Sequence, residues 1–244
     1  PTYSSKEERY IVDTWFSATN YIGAFSPGSD IDNNWASGWT LGLFTDPECP
    51  PGTLESEVLL GRKVCSLSGV LTTDLTLVAG NYYKLDGKVA VGIDMGSDGT
   101  KTGGASATLT IEPGVTVFGE SGNDYLVVTR GSKINAVGTS SAPIIMTGRQ
   151  DILGEADIVN TRGLWGGLVL LGKSPINKCS FSTPGTSSTA GTRVNPCEKD
   201  VEGSVGDTMG GEIPTDSSGT LKYVRVQYAG YEVFPGNELN GITF

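Results

Sequence analysis

The sequence predicts an all-β protein, a right-handed parallel β-helix (solenoid), preceded by a short helix and an aromatic-rich N-terminal segment. Three observations point there. From residue 64 onward, short runs rich in Val, Ile, Leu and Thr follow one another, with Gly, Asn and Asp turns and no helical periodicity between them. Glycine supplies 35 of the 244 residues, about twice the usual ~7%, as expected of a chain that turns many corners in left-handed conformations. Thr110, Val128 and Ile145 stand at comparable points of successive runs, about 17–18 residues apart, and Val224 and Ile242 repeat that interval. A soft repeat of this kind predicts stacked coils with insertions looping off the corners. A β-sandwich would instead need hairpin turns at short regular spacing. The steps Asp86-Gly87, Asp98-Gly99 and Asn240-Gly241 do not organise the runs in that way.

Residues 4–18 read as the helix. Ser5 and Glu8 form a capping-box pair, and Ile11, Val12, Trp15 and Phe16 give one apolar face. Next come Tyr21–Phe25, a polar loop holding Asp30, Asp32, Asn33 and Asn34, and the pair Trp35 and Trp39. Two tryptophans four apart read as a packed or docking patch, with a sugar-stacking platform as the alternative. Residues 1–63 are therefore expected to form an N-terminal helix plus cap or docking segment, and 64–244 the coils.

The expected strands are Leu75–Val78, Thr108–Ile111, Val115–Phe118, Leu126–Thr129, Lys133–Val137, Ile144–Thr147, Leu168–Leu171, Leu221–Tyr228 and Leu239–Phe244. Simple alternation along Leu221–Tyr228 sends Lys222, Val224 and Val226 to one face and Tyr223, Arg225 and Gln227 to the other. Leu239–Phe244 carries no cap and Pro1 is not an initiator residue, so further coils after Phe244 and a segment before Pro1 are expected.

The four cysteines form two local pairs, Cys49 with Cys65 and Cys179 with Cys197, without the spacing of a zinc or thioredoxin-like site. Both bracket turn-rich stretches, so two disulfides stapling surface loops are expected. That implies an oxidising compartment. With no histidine in the chain, Ser-His-Asp and Cys-His nucleophile systems and His-ligated metals are excluded. A net charge of −10 argues against a nucleic-acid partner, and no apolar run is long enough to span a bilayer.

Two acidic turns resemble parts of calcium loops. Asp94 and Asp98 precede Gly99 with the right interval, yet Gly96 and Ala105 stand where further oxygen ligands belong. Asp30 and Asp32 alternate with Asn34 but lack the following glycine. Calcium is thus the one cofactor under consideration, against a turn bonded to its own backbone. For catalysis, Glu202, Asp207, Glu212 and Asp216 are the candidate carboxylates, with Lys222 or Arg225 as base. None of them pairs at a recognisable spacing. Gly163–Gly167 and Gly172-Lys173-Ser174 lack the helix and spacing of a phosphate loop and read as corners, the former letting Trp165 pack.

Several segments together carry a resemblance. They are Leu109-Thr-Ile-Glu-Pro-Gly-Val-Thr-Val-Phe-Gly119, Trp165-Gly-Gly-Leu-Val-Leu-Leu-Gly172-Lys-Ser-Pro-Ile-Asn177, Val201-Glu-Gly203, Ser218-Gly-Thr-Leu-Lys-Tyr-Val-Arg-Val-Gln-Tyr-Ala-Gly230 and Asn237-Glu-Leu-Asn-Gly-Ile-Thr243. In this order they resemble the opening coils of a family of bacterial secreted and outer-surface β-helix proteins, many described only as hypothetical proteins or lipoproteins. The resemblance implies export and residence on the outer surface or in the medium, and it supplies no catalytic residue. The expected function is a non-catalytic extracellular or cell-surface scaffold with structural, adhesive or ligand-presenting roles. Its expected partners are a second copy, another surface protein or a polysaccharide. The alternative is a polysaccharide-binding or polysaccharide-degrading β-helix.

Overall fold

The computed structural model describes residues 47–177, 179, 196–204 and 206–244, all within the compact unit Asp46–Phe244. The helix expected at 4–18, the acidic loop with Asp30 and Asp32, and the Trp35/Trp39 pair lie outside the described residues.

The strands run in chain order as β1 (Leu54–Leu59), β2 (Arg62–Leu71), β3 (Leu75–Leu77), β4 (Tyr82–Val91), β5 (Thr108–Ile111), β6 (Thr116–Gly119), β7 (Tyr125–Val128), β8 (Lys133–Val137) and β9 (Ile144–Gly148). A single helical turn, α1 (Arg149–Ile152), precedes β10 (Gly167–Leu170). Then follow β11 (Lys199–Asp200), β12 (Thr208–Met209), β13 (Gly219–Lys222), β14 (Val224–Val226), β15 (Glu232–Phe234), β16 (Asn237–Glu238) and β17 (Ile242–Thr243). A nine-stranded sheet bends within β2 and β4 and so supplies two sides of the solenoid. A four-stranded sheet, β13-β8-β5-β3, supplies the third.

The bend in β4 is legible in its register. Tyr82–Lys84 pair with β6, whereas Lys88–Val91 pair with β7, and Gly87 between them has φ +71°. A side chain there would sit in the left-handed region that L-residues avoid. The chain thus winds as a parallel β-helix of three sheets, in the right-handed sense that parallel crossovers adopt. β2, β4, β6, β9 and β14 line the first sheet, and the second halves of β2 and β4 with β7, β10 and β17 line the second. The strands at 54–71 and 82–91 go beyond those the sequence suggested, so pairing begins ahead of residue 64.

The core is a set of stacked inward rungs. On the first sheet Cys65, Tyr83, Val117, Met146 and Val226 stack, and on the second Val89, Leu126, Leu168 and Ile242. The third sheet contributes Leu77, Ile111, Ala136 and Leu221. All belong to, or pack against, one apolar cluster. Burying each Val, Leu, Ile or Met side chain among them contributes roughly 1.5–3 kcal/mol.

The registers correct the repeat. Thr110 lies on the third sheet, Val128 on the second and Ile145 on the first. Their interval measures progress around a coil, not from one coil to the next. The true rung runs Val64, Tyr82, Thr116, Ile145, Arg225, with unequal steps set by the insertions between them.

Insertions build second cores on the outside. Tyr125, Val127, Val169 and Leu171 point outward from the second sheet and are buried under Val201 and Leu239. That explains why Tyr125–Val128 and Gly167–Leu170 are apolar on both faces. Leu59, Val64 and Phe118 form a smaller cluster with Tyr82 and Ile152. Trp165 is fully buried at its corner, and its indole Nε1 donates to the Gln227 carbonyl at 2.8 Å.

Both disulfides form, but the first is not a surface staple. Cys65 is fully buried at the head of the inward rung, so the bond to Cys49 ties the preceding segment across the end of the core. Cross-links closing loops of this size contribute about 3 kcal/mol in the chain-entropy model. Cys179 pairs with Cys197 as expected. The strand expected at 221–228 is likewise interrupted. Tyr223 has φ +50° and turns the corner, so Leu221, Val224 and Val226 face the core while Lys222 and Arg225 are both exposed, on different sheets. Simple alternation failed because one left-handed residue resets the phase.

Candidate ligand face and charged corner

Alternation in β3, β5, β8 and β13 sends Thr76, Thr110, Asn135 and Thr220 outward in one register row. Stacked strands lie about 4.8 Å apart, so the row is an evenly spaced ladder of small polar side chains. Beside it stand the exposed Asp74 and Lys133 on one side, and Glu112 and the exposed Lys222 on the other. Asp74 accepts the Thr108 N–H at 2.8 Å and Glu112 the Ala79 N–H at 3.0 Å, which fixes both carboxylates against the sheet. Among the described residues no buried apolar cluster covers this face, in contrast to the outer sides of the other two sheets. At the corner after β13, Tyr223 is 51% exposed, with the Lys222 ammonium 5.6 Å from its ring centroid. A cavity of about 500 Å³ opens nearby between Leu170, Leu221 and Phe244, with Asp216 and Ser218 on its wall.

The corner between the second and third sheets carries the charge. Arg130 follows β7, and its side chain is only 4% exposed. Its guanidinium forks onto Asp94, with Nε to Oδ1 at 2.7 Å and Nη2 to Oδ2 at 2.8 Å. Nη1 donates to Glu198 at 2.5 Å and to the Gly210 carbonyl at 2.8 Å. One buried arginine thereby clamps two insertions to the coil, and charge-assisted bonds of this kind are the strong ones. Lys101 adds a 3.0 Å contact to Asp94. Burial alone would push the Asp94 carboxyl up, but the bonds from Arg130 and Lys101 outweigh it and hold it at about 2. Arg130 loses by burial and gains more from Asp94 and Glu198, so it stays charged.

The Asp94 carboxyl is therefore ionised throughout the range in which a general acid works. Its stabilising contribution is complete above the ordinary value of 3.8 and is lost as pH falls through about 2. Melting temperature plotted against pH should drop across that window, and Asp94→Asn should flatten the drop. An unchanged acid slope in Asp94→Asn would show that the clamp carries no linkage.

The carboxylates singled out in the sequence are placed as follows. Asp94 is committed to Arg130, and Asp98 folds onto its own turn, accepting from the Thr100 N–H and hydroxyl at 2.8 Å. Among the described residues no group of three or more Cys, Asp or Glu side chains converges as a metal site would require. Asp216 accepts the Lys173 N–H at 2.7 Å, with the Lys173 ammonium 3.4 Å away. Asp207 is buried, paired with Lys88 at 2.5 Å and accepting from Ser204, which also reaches the Tyr125 hydroxyl. Glu202 and Glu212 are exposed, and the fold brings no two of these four into a facing pair that any contact records. Arg130 escaped the sequence reading, since nothing in Thr129-Arg130-Gly131 marks an arginine for burial. Tyr223 escaped it too, because a corner is expected to announce itself with Gly or Asn.

Residues 69–244 match the family described as a pectate-lyase like beta helix domain. No curated protein and no solved structure matches the chain. Among the described residues no helix is long and apolar enough to cross a membrane. Three stacked sheets, inward aliphatic rungs and corner insertions agree with that match over most of the chain, which belongs to the pectate-lyase-like β-helix family.

Proposed function

We propose that this domain is a non-catalytic scaffold of the cell surface or extracellular space that presents the outer face of its third sheet to a ligand. The observation that carries the reading is the polar ladder of Thr76, Thr110, Asn135 and Thr220, which no apolar cluster of the described residues covers, beside two sheets whose outer faces are built over. A preformed flat face costs little to order on binding. Against catalysis stands the state of the gathered carboxylates. Asp94, Glu198, Asp207 and Asp216 each lie against a cation, and Arg130 and Lys101 hold the Asp94 carboxyl below its ordinary value, the opposite of what an acid catalyst requires. Two disulfides fit an oxidising, exported setting.

Family membership favours a second reading, in which the protein cleaves a polysaccharide. Incubating the purified domain with neutral and acidic polysaccharides, and following new reducing ends and ultraviolet absorbance of unsaturated products, separates the two. The scaffold reading expects neither signal above a buffer control. Enzyme-dependent release from any substrate would replace it with the enzymatic one.

A further inference from the structure

Resting on the ligand-face reading, we infer that the ligand is an extended, uncharged polysaccharide and that Tyr223 is the platform on which one of its sugar rings stacks. The ladder itself is uncharged, and its flanks are balanced, Asp74 and Glu112 against Lys133 and Lys222. A locally neutral face on a chain of net charge −10 suits a neutral polymer better than a polyanion, which the rest of the molecule repels. Hydroxyl and amide side chains repeating along the stack offer both donors and acceptors to a hydroxyl-rich chain.

Tyr223 is the second, independent observation. It occupies the corner between β13 and β14, with φ +50°. An aromatic residue in that conformation is strained, where glycine would be at ease. Burial does not account for it, because the residue is half exposed. Nor, among the described residues, does a hydrogen bond from its hydroxyl. The corner's backbone work, the Tyr223 carbonyl accepting the Ile144 N–H at 2.9 Å, needs no side chain at all. What the tyrosine adds over glycine is an exposed ring close to the Lys222 ammonium, at the corner where β13 leaves the third sheet. Aromatic faces at such positions contact the apolar C–H side of a pyranose, a contact that loses little entropy.

Affinity electrophoresis tests this on the intact chain, in gels containing hydroxyethylcellulose, galactomannan or polygalacturonate. At least one neutral polymer should retard the wild type and polygalacturonate should not. Tyr223→Phe should bind within twofold of wild type, and Tyr223→Gly should bind about tenfold more weakly. Because glycine relieves the strained corner, Tyr223→Gly should melt no lower than wild type, which separates lost contact from lost fold. Retardation of Tyr223→Gly equal to wild type would overturn the platform while leaving the ligand face standing. Retention by polygalacturonate alone would overturn the neutral class, and retention by none of the three would overturn the inference altogether.

Discussion

Arg130→Ala is expected to lower the stability of the domain by about 3 kcal/mol, read as the shift in a urea denaturation midpoint at constant slope. The substitution leaves the Asp94 and Glu198 carboxylates facing each other without their shared cation, and the Gly210 carbonyl without its donor. Breaking a buried pair from one side typically costs about 3–5 kcal/mol. The low end applies because the two carboxylates keep partial contact with water, at 24% and 19% side-chain exposure. Arg130→Lys should recover only part of the loss, since an ammonium cannot fork onto Asp94 while holding Glu198 and a carbonyl. Removing Asp94 as well should cost less than the sum of the two single changes, because the groups share one network. Additive losses would mean that the clamp is not the coupled unit described above.

Gly219→Ala should be at least as damaging, at about 3 kcal/mol or more, by a different route. Gly219 opens β13 directly beside Ile134 of β8, with φ +119°. A β-carbon there would lie 1.9 Å from the Ile134 carbonyl oxygen and 2.7 Å from its carbon. Those are backbone atoms of a paired strand, so β13 must move off β8 as a whole. Gly236→Ala supplies the contrast. It too is left-handed, at φ +73°, yet nothing lies within 4 Å of its added carbon. Only the conformational cost of about 1–2 kcal/mol should appear there. Equal losses at the two sites would show that strain, not the close approach of strands, sets the price at Gly219.

These two positions also show where the sequence speaks and where it is silent. Thr108–Ile111 and Lys133–Val137 have the boundaries expected, because one face meets the core and the other meets solvent, and alternation records that difference directly. Tyr82–Val91 is harder to see. Asp86-Gly87 reads as a turn between runs, whereas in a solenoid a single left-handed glycine bends a strand that goes on pairing on both sides. Leu54–Leu59 hides behind Glu55 and Glu57, which are tolerable because Lys63 and Arg149 lie against them. The fold class survived an argument that did not. The interval between Thr110, Val128 and Ile145 is real, but it spaces strands around a coil. Coil length is set by insertions that pairing alone reveals.

The site divides in the same way. The carboxylates were visible as types, but their partners were not, since Arg130 meets Asp94 and Glu198 only after two insertions fold back on one corner. The third-sheet face was half legible. Thr110 and Asn135 alternate out of their strands in the sequence, yet their alignment with Thr76 and Thr220 depends on register across loops of unequal length.

Hydroxyl-radical footprinting of the domain, with and without a saturating neutral polysaccharide that retards it, tests the ligand face most directly. The account predicts protection of Val137, Lys222 and Tyr223, with Ile158 and Val159 on the opposite loop unchanged as exposed internal controls. Protection confined to residues outside the third sheet, or none anywhere on it, would contradict the claim that this polar face is where the molecule binds.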